Sequence, residues 1–290
     1  MKVDFLYIGP DKAGSTWLDG VLRQHRSIVM PKSKELFYFD RYYNLGDNWY
    51  RSQFSPGHIN DSGRRLGEIS HDYLYSEDAA KRIFQHNSAV RLIVNLRNPI
   101  DRAVSAYRYL KLQGRTFSSF DKAILEHSEI IDHGRYYKYI SMYLKYFDRS
   151  QIYFGDFQDL TDQPRLYVNE VLDHIGVESD CELSPERQNK NSFRYARAPH
   201  LNKFLRSVAS GARAIGRPEL VTAVKTSRLV NWALFSSITA DPASDVVSLD
   251  SREYIRLRVL DDAVKLSEIA SVDYVKKWDF DKFAGVAKCT

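Results

Sequence analysis

Apolar positions along the chain alternate between short β-rich runs and longer helical patterns. Val3-Asp4-Phe5-Leu6-Tyr7-Ile8 is rich in β-formers and closes on Gly9-Pro10, which predicts a strand ending in a turn. After Ser15-Thr16, the residues Trp17, Leu18, Val21 and Leu22 recur at helical spacing. A second buried strand is predicted over 90–96. It ends at Arg97-Asn98-Pro99, where Asn98 can cap a helix and Pro99 fits its first turn. That helix carries Ala103, Val104, Tyr107 and Leu110. A third strand is predicted at 151–155 with a helix over 164–175 behind it. Helical segments are expected near 77–86, 118–130 and 134–147, and a long helix over 250–269. Strands alternating with helices predict an α/β fold, a three-layer sandwich with a central parallel sheet between helices.

Past residue 180 the pattern changes. Residues 182–200 are polar and loop-like, and 200–231 is basic, with Lys203, Arg206, Arg213, Arg217, Lys225 and Arg228. Leu201, Phe204, Leu205 and Val208 recur there at helical spacing, the mark of an amphipathic helix with a basic face. No linker divides the chain. A single domain over 1–290 is expected, with its core at about 3–180 and a helical C-terminal elaboration at about 200–290.

Composition removes several classes. With 290 residues, 43% hydrophobic and 27% charged, the chain is neither disordered nor a coiled coil. The formal net charge of +5 permits an anionic ligand without demanding nucleic acid. Two cysteines, Cys181 and Cys289, make neither a disulfide framework nor a zinc site. No apolar stretch reaches the roughly 18 residues of a membrane span. Nothing resembling a signal peptide precedes the first strand, so a cytoplasmic protein is expected.

The first turn, Gly9-Pro10-Asp11-Lys12-Ala13-Gly14-Ser15-Thr16, keeps Gly9, Gly14 and Thr16 of the Walker pattern. Ser15 stands where that pattern has lysine, and the second strand ends in Asn95-Leu96-Arg97 with no carboxylate for magnesium. Backbone N–H groups at a helix N-terminus still favour an anion. A nucleotide-dependent small-molecule kinase is therefore the alternative, and a non-enzymatic polyanion binder using 200–231 is a third reading.

Lys12-Ala13-Gly14-Ser15-Thr16-Trp17-Leu18 resembles the 5′-phosphosulfate loop of sulfotransferases that use 3′-phosphoadenosine-5′-phosphosulfate. Arg97-Asn98-Pro99-Ile100-Asp101-Arg102-Ala103-Val104-Ser105-Ala106-Tyr107 resembles the 3′-phosphate motif of the same family. The likeness is to the glycan (heparan-type) branch and its bacterial relatives. It extends over 31–40, 67–74, 134–147 and the late helix ending near Trp278, while 205–248 match nothing.

The resemblance implies a P-loop-like fold and a metal-independent enzyme. The backbone of Ala13, Gly14, Ser15 and Thr16 and the Thr16 hydroxyl would take the 5′-phosphate, and Lys12 would sit at the bridging oxygen. Arg97 and Ser105 would take the 3′-phosphate, with Arg194 reaching it from a nucleotide-covering loop at about 182–200. The blander alternatives are a solvated strand-end arginine and a helix serine bonded to its own backbone. Glu35, ahead of Leu36-Phe37-Tyr38-Phe39-Asp40, matches the glycan branch's catalytic glutamate; the rival base is His71. The alternative for Glu35 is a surface residue paired with Lys32 or Lys34. Ile69 stands where a second active-site lysine is expected, and Lys34 is the candidate to supply that charge. The tyrosines of Tyr136-Tyr137-Lys138-Tyr139 either stack on a sugar or pack in the core, and His25 and His133 read as ordinary polar histidines. The implied acceptor is a glycan or a small molecule.

Overall fold

A computed structural model describes residues 1–55, 63–179 and 247–281, with positions 183, 185, 211 and 212 between them. In chain order the elements begin β1 (Phe5–Gly9), α1 (Ser15–Leu22), β2 (Ile28–Val29), α2 (Gly46–Ser52), β3 (Arg65–Ile69) and α3 (Glu77–His86). They continue through β4 (Arg91–Leu96), α4 (Pro99–Leu112), α5 (Phe120–Glu126), α6 (Glu129–Asp132) and α7 (Tyr136–Tyr143). Next come β5 (Ile152–Asp156), α8 (Phe157–Asp162), α9 (Pro164–His174), α10 (Leu249–Ala270) and α11 (Tyr274–Lys277).

The five strands form one parallel sheet in the order β2-β3-β1-β4-β5. Side chains alternate across it as strand geometry requires. Leu6, Ile8, Leu92, Val94 and Leu96 face one core, which α3, α4, α7 and α10 cover with Ile83, Ala103, Ile140 and Val259 among others. Phe5, Tyr7, Ile69 and Ile93 face the other, under Leu18 and Val21 of α1 and Val168 and Val171 of α9. The expected three-layer arrangement is therefore present, P-loop-like in topology.

That topology also fixes where a ligand can sit. From β1 the chain leaves through α1 toward β2 and β3; from its neighbour β4 it leaves through α4 toward β5, on the opposite face. The carboxyl ends of β1 and β4 are thus a topological switch point, where open α/β sheets bind ligands.

Several sequence expectations need correction. The sheet has two strands, β2 and β3, that periodicity does not predict. β2 is two residues long, and β3 reads Arg65-Leu66-Gly67-Glu68-Ile69, with glycine and glutamate interrupting the β-former run. Gly67 is there because the Phe5 ring lies across it: a Cβ would stand 1.9 Å from the ring. The single helix expected near 118–130 is broken at His127-Ser128 into α5 and α6, and the one expected over 134–147 is the shorter α7. Arg194, most of the loop at 182–200 and nearly all of 200–246 lie outside the described residues. Among the described residues no helix is long and apolar enough to cross a membrane.

Candidate active site

The first turn adopts a conformation that side chains disfavour. Lys12 (φ 65°) and Gly14 (φ 89°) both lie in the left-handed region. Gly14 precedes α1 and has no side chain to cap it, so the first N–H groups of that helix are left for a ligand. The end of β4 holds the turn in place. The Asn95 side-chain amide donates to the Ala13 carbonyl, and Arg97 Nη1 donates to the Lys12 carbonyl at 2.9 Å.

Cations gather at this turn. Lys34 Nζ donates to the Thr16 hydroxyl at 2.8 Å and to the Ser15 hydroxyl at 3.0 Å. A lysine from a separate segment therefore stands at the loop, although position 69 is isoleucine. The Lys12 ammonium lies 4.0 Å from the centre of the Tyr109 ring. Burial lowers its pKa to about 8; Asp11 opposes that shift, while Arg97, Arg102 and Lys34 reinforce it. An anion bound here would relieve the mutual repulsion.

Arg97 packs its guanidinium over Phe157, 4.4 Å from the ring centre, and its backbone carbonyl accepts from Tyr136 Oη at 2.7 Å. Burial lowers its pKa. Ser105 lies two turns into α4 and is buried.

One carboxylate at the loop has no signal in local sequence. Asp11 accepts from Tyr75 Oη at 2.7 Å and from the wholly buried Arg102 at 2.9 Å, with His133 Nδ1 at 3.4 Å. Burial by itself would raise the Asp11 carboxyl, but Arg102, His133 and His71 hold it well below the usual carboxylate range. Arg102 is tied in turn to the Glu129 and Ile130 carbonyls. His133, read from sequence as an ordinary polar residue, instead stacks on Tyr75 at 3.7 Å. His25 keeps a structural place, its Nε2 3.0 Å from the Glu178 carbonyl.

The two base candidates stand side by side. Glu35 Oε1 lies 3.3 Å from Lys34 Nζ and 3.6 Å from His71 Nδ1, and His71 Nε2 is 3.3 Å from Asp72. Glu35 (φ 63°) and Phe37 (φ 52°) are both left-handed, so the segment needs anchors. The end of β3 provides them. Ile69 O accepts from the Glu35 N–H at 3.0 Å, Ser70 Oγ from the Phe37 N–H at 3.2 Å, and Tyr73 Oη from the Tyr38 N–H at 2.8 Å. Those two hydroxyls, with that of Tyr50, donate onward to Glu68 at 2.5, 2.8 and 2.6 Å. Glu68 is completely buried; burial raises its pKa and the three hydroxyl donors oppose the rise. Sequence reasoning missed this carboxylate, since its partners are hydroxyls that carry no charge pattern.

The tyrosine segment resolves toward the core. Tyr136 and Tyr139 are buried, and Tyr139 donates to Asp132.

An uncapped helix N-terminus flanked by two lysines, and an arginine joining it to a second strand-to-helix turn, form an α/β arrangement suited to an anion. Residues 2–213 match the sulfotransferase domain family, and the chain belongs to that family. It is 31% identical over 144 residues to the membrane-associated sulfotransferase kil1 of Dictyostelium discoideum, a match covering 46% of this chain and 31% of that one. Bifunctional heparan sulfate N-deacetylase/N-sulfotransferase 3 of Mus musculus is 33% identical over 199 residues, 60% of this chain and 22% of the relative. Human heparan sulfate glucosamine 3-O-sulfotransferase 6 is 29% identical over 180 residues, 59% of this chain and 52% of the relative. These matches span between 22% and 52% of the length of those relatives. A solved sulfotransferase from Alicyclobacillus acidocaldarius superposes with a TM-score of 0.67 at 21% identity, covering 96% of this chain and 99% of that one, and has the same fold.

Proposed function

We propose that the chain, as one sulfotransferase domain, moves a sulfuryl group from 3′-phosphoadenosine-5′-phosphosulfate to an acceptor hydroxyl of a carbohydrate or small natural product. The observation that carries this reading is the link between the two turns. Arg97 spans from β4 to the Lys12 carbonyl at 2.9 Å, so cations for both anionic ends of one nucleotide stand at a single sheet edge. N–H groups at Ala13 to Thr16 and the Thr16 hydroxyl take the 5′-phosphate, and Arg97 with Ser105 takes the 3′-phosphate.

Chemistry then follows as in-line displacement. The acceptor oxygen forms a bond to sulfur while the bond from sulfur to the bridging oxygen breaks. Glu35 receives the acceptor's proton, with His71 beside it as the rival base. Lys12 and Lys34 offset the charge that grows on the departing 3′-phosphoadenosine-5′-phosphate. The lysines and the helix N-terminus supply the positive charge, so the scheme calls for no metal. Membership of the sulfotransferase family favours this reading over the kinase alternative.

Calorimetry with 3′-phosphoadenosine-5′-phosphate in EDTA tests the reading. Binding without magnesium is expected; magnesium-dependent ATP binding, with none of the adenosine bisphosphate, would overturn it. Glu35→Gln is expected to lower kcat by about 10²- to 10⁴-fold at unchanged nucleotide affinity. Full activity in that variant moves the base to His71, which His71→Ala then tests.

A further inference from the structure

Beside the base candidates lies a small cleft, of about 260 Å³, lined by Asp40, Arg41, Asp72, Tyr75, Ser76 and His133. Its walls are continuous with the site. Asp72 touches His71, the neighbour of Glu35, while Tyr75 and His133 both contact Asp11, the residue before Lys12. The cleft therefore borders residues that touch His71 on one side and Asp11 on the other.

The charge of this cleft is unusual for an enzyme of polyanionic glycans. Two carboxylates face it against one guanidinium, and that guanidinium is already engaged. Arg41 Nε lies 3.3 Å from Asp40, its Nη2 is hydrogen-bonded to Asp72, and its plane covers Phe37 at 4.3 Å. The Asp40 side chain is only 9% exposed, yet its Oδ1 has no hydrogen-bond partner among the described residues. An unpaired buried oxygen is costly, and turning this carboxylate toward the cleft would bring it a donor from a ligand. Carboxylate or sulfate on an incoming ligand would instead meet Asp40 and Asp72 as like charges. The stacked rings of His133 and Tyr75 add a flat wall.

We propose that this cleft is the acceptor subsite and that it selects an uncharged polyhydroxylated ring, a neutral sugar, whose hydroxyls donate to Asp40 and Asp72. Sulfated and uronic-acid-bearing glycans are excluded by the same two carboxylates. At 260 Å³ the cleft lies just below the range of about 300–1,000 Å³ typical of ligand pockets, a size that suits one ring. This inference rests on the sulfuryl-transfer reading above.

The test uses the full chain saturated with 3′-phosphoadenosine-5′-phosphate, whose binding is first measured by calorimetry. Saturation-transfer NMR is then recorded with methyl glucoside, methyl galactoside and methyl mannoside, and with a sulfated uronic-acid disaccharide. At least one neutral glycoside is expected to bind, about tenfold more tightly than the anionic disaccharide. Asp40→Asn and Asp72→Asn are each expected to weaken it by about tenfold while nucleotide binding stays unchanged. Binding by none of the neutral glycosides, equal or tighter binding of the anionic disaccharide, or indifference to both substitutions overturns the proposal and leaves the sulfuryl-transfer reading standing. Failure of the nucleotide itself to bind removes that reading first, and the two failures are thereby told apart.

Discussion

The two strand-to-helix turns at the switch point have the same outline and opposite chemistry. Between β1 and α1 the residue ahead of the helix is Gly14, left-handed and without a cap, so the helix N–H groups remain available. Between β4 and α4, Asn98 Oδ1 accepts from the Ile100 N–H at 2.9 Å, and Pro99 removes a donor altogether. The second helix is thus satisfied by its own sequence, and what this turn can offer a ligand is a side chain, Arg97. One supersecondary unit grips through backbone, the other through a guanidinium, and the choice is made by which residue stands at the cap.

Substitutions can break this contrast at graded cost. Lys12→Ala should have the largest effect, lowering kcat by about 10²- to 10³-fold, because it removes charge aimed at the leaving oxygen. Steady-state assays with the sulfuryl donor measure this, and near-normal turnover would detach the first turn from chemistry. Arg97→Ala should weaken 3′-phosphoadenosine-5′-phosphate binding by about 10- to 100-fold, the loss of charge-assisted hydrogen bonds. A change in Tm alone would reduce the second turn to scaffold.

The pH dependence is smaller and has a definite sign. Burial first, then neighbouring cations, puts the Lys12 pKa at about 8 in the free protein, and only its protonated form attracts the nucleotide. Affinity should therefore be greatest below pH 8 and fall by up to about tenfold per unit above it, as calorimetry across pH 7 to 10 would reveal. Lys12→Met should flatten that slope. The mildest change is Asn98→Ala, expected to cost about 1 kcal/mol in thermal or denaturant unfolding with nucleotide affinity unchanged, since a self-capped turn contributes stability rather than binding.

Much of the framework was legible before the structure. β1, β4 and β5 each carry three or more consecutive apolar residues, and Asn98-Pro99 is a start signal whose cap forms as its residue types dictate. β3 was not legible, because two of its five residues answer to distant partners: Gly67 to the Phe5 ring, Glu68 to the hydroxyls of Tyr50, Ser70 and Tyr73. Site legibility followed the same division. Both turns stood out in the chain, whereas Glu35 and His71 read as competitors, and the fold brings them within 3.6 Å of each other.

The sequence alone determined the alternation of strands and helices and the character of each turn, since caps, glycines and apolar runs act on residues a few positions away. Only the tertiary structure decided that Lys34 reaches the Thr16 hydroxyl, that Asp11 meets Arg102 across 91 positions, and that two carboxylates face the cleft. Electrostatic coupling depends on distance through a poorly polarisable interior, and separation along the chain says nothing about that distance until the sheet has been assembled.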